Sequence, residues 1–159
     1  MKAIHWIIAA AAFAFVQAAP ASAGVNDPEI FIYRGAGIND TGGAAFSGNA
    51  TAFLCTNFSG ATENIRVVVR NRDTSLVANQ AISIGHLQTV AVLTKETALF
   101  LSAFRTILNT GTVPHGTVAI AATSINVTCT AMLVDAHAST PNGIKLHMTR
   151  FNPIPGSQE

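Results

Sequence analysis

Between Arg105 and Asp135 the chain carries no Lys, Arg, Asp or Glu, and within that run Gly116 to Asp135 repeats with a period of two. Ile125, Val127, Cys129, Ala131 and Leu133 fall on one side of an extended backbone. Asn126, Thr128, Thr130, Met132 and Val134 fall on the other. Just upstream, Val118, Ile120 and Ala122 alternate with Thr117, Ala119, Ala121 and Thr123. The pattern predicts two core strands joined at Thr123-Ser124, with a cysteine pointing inward from the second.

The same period recurs along the chain. Ala50 to Asn57 reads as a strand with Phe53 and Cys55 on its inner face. In Glu63 to Asn71, Ile65, Val67 and Val69 alternate with Arg66, Val68 and Arg70, which predicts one buried and one wet face. Arg72-Asp73-Thr74-Ser75 is turn chemistry. Leu76 to Ile84 follows as a strand, Gly85-His86 turns, and Leu87 to Leu93 is expected to pair back on it. Ile144 to Phe151 closes the sheet with Leu146 and Met148 inward and Lys145 and His147 outward. Glu29 to Arg34 is a first strand, whereas Gly35 to Gly48 is rich in Gly, Ala and Asn without a period and reads as a long surface loop. In Thr94 to Asn109, Ala98 to Leu101 reads as an edge strand, followed by a helical turn through Leu101, Phe104 and Leu108. Short, evenly spaced strands of this kind predict an all-β antiparallel sandwich.

The first residues have the composition of a secretory signal peptide. Lys2 is followed by an apolar run from Ile4 to Val16, and Ala21-Ser22-Ala23 is a small-x-small cleavage site; the run is too short to span a bilayer. Residues 1–23 are therefore expected to be removed, leaving a β-sandwich domain over 24–151 and a Pro- and Gly-containing tail over 152–159. The expected destination is periplasmic or secreted. Lys2 leaves with the signal, so the nine Lys and Arg fall to eight and match the eight Asp and Glu. A neutral, charge-poor chain excludes nucleic acid as the expected partner, since phosphate binding needs a positive face. The cluster Arg66, Arg70 and Arg72 reads as a solvated edge.

The two cysteines, Cys55 and Cys129, both lie in alternating apolar runs, and an even count in an exported chain reads as a disulfide. A bridge between residues 74 apart stabilises a fold by about 4 kcal/mol in the chain-entropy treatment. With Cys55 on an early strand, Cys129 on a late one and the strong strand at Ile65 to Val69 between them, the arrangement resembles an immunoglobulin-like Greek-key sandwich. That resemblance implies an inter-sheet disulfide. Two of the type's marks are missing: no tryptophan stands on the strand after Cys55, and Val127 rather than tyrosine stands two residues before Cys129.

No catalytic or cofactor signature assembles from the sequence. GxSxG, HExxH, P-loop and dinucleotide fingerprints are absent, and Gly35-Ala36-Gly37 continues without a third glycine. A blue-copper set fails because Met132 and His137 do not follow Cys129 at closing spacing and Cys55 offers that thiol a partner. The nearest approach to an acid–base or metal set is Asp135, His137 and His147, which would serve a small secreted hydrolase or metal-dependent enzyme. The reading favoured by the residues is instead a non-enzymatic exported domain with a structural or binding role, with no cofactor, acting through a homo-oligomer or an envelope or extracellular partner. The faces bearing Ala52, Leu54, Ala119, Ala121, Met132 and Val134 are too apolar for full exposure, which calls for further burial or a partner surface.

Overall fold

Alternating apolar residues build ten strands in the computed structural model, which describes residues 29–101 and 104–151; the signal segment and the 152–159 tail lie outside the described residues. In chain order the strands are β1 (Ile30–Thr41), β2 (Asn49–Asn57), β3 (Glu63–Arg70), β4 (Leu76–Ile84) and β5 (Thr89–Leu93), then β6 (Arg105–Ile107), β7 (Thr112–Ala122), β8 (Val127–Asp135), β9 (Ile144–Leu146) and β10 (Met148–Arg150). They form two five-stranded sheets, one ordered β10-β1-β7-β3-β4 and the other β6-β5-β2-β8-β9. All pairings are antiparallel except β5 with β6. The chain is an all-β, two-sheet protein.

The inward-facing sets meet between the sheets. Ile65, Val67 and Val69 of β3, Val118, Ile120 and Ala122 of β7, and Phe53 and Cys55 of β2 are all buried there. Val127, Cys129 and Ala131 of β8 join them, but Ile125 stands in the turn before β8 and is exposed. The two strands of the Gly116–Asp135 run are not neighbours. Residues 123–126 carry the chain from one sheet to the other, which is how one uncharged run supplies the middle of both layers.

Four strand assignments are corrected. Gly35 to Gly48 is not one long loop: β1 continues to Thr41. Its alternation is hidden by register shifts between Phe31 and Tyr33, Ala36 and Ile38, and Ile38 and Asp40, each of which moves later side chains to the opposite face. Gly37, at φ +82° within those shifts, takes a backbone conformation that favours glycine. The strand after Gly85-His86 does not pair back on β4. It crosses to the second sheet and lies against β2, leaving β4 as an edge. The order within Thr94 to Asn109 is reversed, with a 3-10 turn at Ala98–Phe100 preceding the short edge strand β6. The closing segment splits at His147, with β9 completing one sheet and β10 the other.

The disulfide forms, but not between the sheets. Cys55 and Cys129 are directly opposed on the adjacent antiparallel strands β2 and β8, with Cα atoms 4.1 Å apart. That closeness is typical of a non-hydrogen-bonded cross-strand pair, the position where facing Cβ atoms approach most nearly. The bridge therefore staples one sheet, and the immunoglobulin-type feature it was expected to supply is not present in that form.

The apolar outer face of the second sheet has an internal cover. Leu99 packs on Ala50, Val134 and Ala136, while Phe100 and Ile107 pack on Ala52, Ala91 and Leu93. β2 is accordingly buried on both faces. The expected surplus burial is supplied by the 3-10 turn and β6. Among the described residues no further strand or helical turn is layered over the corresponding outer face of the first sheet.

Candidate functional site

That uncovered face is built by the central strand β7 and its neighbours. Where β1 and β3 flank it, register places three rows side by side: Phe31, Ala121 and Arg66; Arg34, Ala119 and Val68; Ala36, Thr117 and Arg70. Thr149 of β10 extends the middle row on one side and Asn79 of β4 on the other. The middle strand contributes only small side chains, so the rows sag along β7 and rise at both flanks. The result is an open groove of about 900 Å³ floored by Thr117 and Ala119 and walled by Phe31, Arg34, Val68, Arg70 and Leu76. Phe31 and Leu76 are more than half exposed.

Electrostatically the groove is one-signed. Arg66 is neutralised by Glu29, whose carboxylate accepts from its guanidinium at 2.5 Å, and also donates to Asn79. The Arg34 guanidinium lies over the rings of Phe31 and Phe151, 5.3 and 5.4 Å from their centroids. This stacking holds a long side chain in place without using its donors. Arg70 donates to the Thr74 carbonyl. Among the described residues no carboxylate pairs with Arg34 or Arg70. The two stand on strands separated by β7 and one row apart, about 12 Å between backbones by ordinary sheet spacings. Thr149, Asn79 and His147 add hydrogen-bonding groups at the rim.

Asp135, His137 and His147 are not brought together. His137 follows β8 and donates its backbone N–H to the Asp135 carboxylate, an ordinary turn contact. His147 leaves in the other direction, because β9 runs antiparallel with Leu146 opposite Ala131. It ends on the rim of the groove on the first sheet. Among the described residues no group of three His, Cys, Asp or Glu side chains could hold a metal ion. The arginine cluster divides differently from the sequence reading: Arg66 and Arg70 share a face with Arg34, while Arg72 lies in the turn after β3. Arg34 escaped notice because the register shifts in β1 obscure which way its side chain faces. A buried ion pair between Lys95 and Asp40 was also unread, and its donors and acceptors are used internally.

The buried disulfide indicates an oxidising, non-cytoplasmic environment. No helix among the described residues is long and apolar enough to cross a membrane. Comparison of the chain with protein-family models, with curated proteins and with solved structures gives no match.

Proposed function

We propose that this is an exported, non-enzymatic binding domain whose ligand is an extended anionic glycan lying along β7 in the groove of the first sheet. The observation that carries the reading is the pair Arg34 and Arg70, two cations without carboxylate partners among the described residues, on opposite walls of a small-residue trough. Charge-assisted hydrogen bonds from guanidinium to carboxylate or phosphate are strong and directional. The stacked Phe31 supplies an apolar surface beside them, and the hydroxyl and amide groups of Thr117, Thr149 and Asn79 match neutral sugar hydroxyls. Overall neutrality disfavours a nucleic acid, which would demand a broader positive surface. The signal-like N-terminus and the disulfide agree with a place at or outside the cell envelope.

The test is titration of the exported protein with an oligogalacturonide, a phosphorylated oligosaccharide and a neutral oligosaccharide of equal length. Binding of either anionic probe, weakened at least tenfold in the Arg34→Ala and Arg70→Ala variants, is the expected result. Equal binding of the neutral probe, or no binding of any, would overturn the reading.

A further inference from the structure

Four strands bound the two sheets, and they are not alike. β6, β9 and β10 are three residues each, whereas β4 is nine. Short edges protect themselves by offering few unpaired backbone groups, and long ones are usually blunted by lysine, proline or a bulge that twists them away. β4, LVANQAISI, has no charged residue and no proline, and its only register shift against β3 lies at the very start, between Val69 and Arg70. Among the described residues no strand pairs with its outer side. Leu76, Asn79, Gln80, Ala81 and Ser83 are exposed along it.

We infer that β4 is a self-association edge, on which the β4 of a second copy adds in antiparallel fashion. A second copy is the occupant that the charge pattern selects. A strand with no ionised side chain meets its own copy without the like-charge opposition that β9, with Lys145, or β10, with Arg150, would bring. Two identical strands related by a two-fold axis perpendicular to the sheet run antiparallel, so the interface is isologous and closes at two copies. The two first sheets then become one sheet of ten strands. Because that axis keeps both outer faces on the same side, the two grooves open in one direction. Leu76 and Asn79, which line the groove, also lie on the joined edge. This inference is independent of what the groove binds.

Backbone pairing along one edge buries less than a standard stable interface, so the dimer is weak and concentration-dependent. The experiment is sedimentation-equilibrium ultracentrifugation of the exported protein up to about 1 mM, beside the Ala81→Lys/Ser83→Lys variant. Both substituted side chains are exposed, and circular dichroism is to be used to check that the variant folds. The expected result is a monomer–dimer equilibrium whose dissociation constant rises at least tenfold in the lysine variant. Single cysteines placed from Ala78 to Ile82 are expected to cross-link between copies only near the two-fold. A monomer throughout the concentration range, a dimer indifferent to the two lysines, or cross-linking without positional preference would each overturn the inference.

Discussion

Lys95 Nζ stands 3.0 Å from Asp40 Oδ1 with both side chains almost withdrawn from water. The ammonium donates as well to the carbonyls of Gly42 and Ser47, at 2.5 and 3.0 Å. The carboxylate accepts from the Gly42 N–H at 2.7 Å and from the Thr110 hydroxyl at 3.4 Å. All three ammonium donors are thereby engaged, and the pair fixes the end of β1, the 42–48 turn and the segment after β5 to one another. Such a pair is costly to break and less informative about net stability when intact.

Replacing Lys95 by Met leaves Asp40 buried without its counter-charge. The expected loss is about 3–5 kcal/mol, measured by urea unfolding. The Asp40→Leu/Lys95→Met double variant should recover part of it. If the double variant lost the full sum of the two single losses, the pair would not be acting as a coupled unit.

The disulfide joins strands already paired along their whole length. Its removal in a Cys55→Ala/Cys129→Ala variant is expected to lower stability by about 2–4 kcal/mol while preserving the sheet. The β2–β8 amides should keep their hydrogen-exchange protection order relative to β3 and β7. Loss of the β2–β8 pairing in the folded variant would show instead that the bridge, and not the cross-strand packing, sets that register.

How much of this was legible in the sequence depends on whether the period of two survives. In β3, β7 and β8 it does, and the buried residues Ile65, Val67, Val69, Val118, Ile120, Val127 and Cys129 follow directly from alternation. In β1 the register shifts break it, and a twelve-residue strand looked like a short strand and a loop. Sheet membership was not legible at all. Alternation tells which residues face inward but not which partner a strand takes, so the intra-sheet placement of Cys55 opposite Cys129 and the passage of β5 to the second sheet had no local signal. The groove was missed for the same reason: Arg34 and Arg70 become neighbours only through β7, which lies far from both in sequence.

The cover over the second sheet gives a stability prediction. Phe100 is half-buried on Ala52, Ala91 and Leu93, whereas Phe53 is fully buried between the sheets. Phe53→Ala is expected to cost about 3–5 kcal/mol and Phe100→Ala distinctly less, about 1–2 kcal/mol. Phe100→Ala should also expose Ala52 and Leu93, read as increased binding of a hydrophobic dye to the folded protein. Equal losses would mean that the 3-10 turn contributes to the core as much as the inter-sheet layer does.

Glu63 titrates below the usual carboxylate value because the Thr123 hydroxyl, and secondarily the Ser59 hydroxyl, donate to its charged form. The folded state therefore holds fewer protons than the unfolded state between the folded and unfolded values. The resulting stability is present above the ordinary value of 4.5 and is lost as pH falls through the depressed one. In Thr123→Val the midpoint of Glu63 should move up towards 4.5, followed by the carboxyl carbon shift in NMR. An unchanged midpoint would contradict the assignment of Thr123 as the main cause. The side chain faces solvent, so the energetic effect is small.

Binding of an anionic glycan on the outer face of the first sheet is read most plainly from the amide chemical-shift map of the exported protein titrated with an oligogalacturonide. Saturable shifts are expected on β1, β7 and β3 around Arg34, Thr117, Ala119 and Arg70, abolished in the Arg34→Ala/Arg70→Ala variant with the remaining spectrum intact. Absence of saturable shifts with both the carboxylated and the phosphorylated probe, or shifts centred on the second sheet, would contradict it.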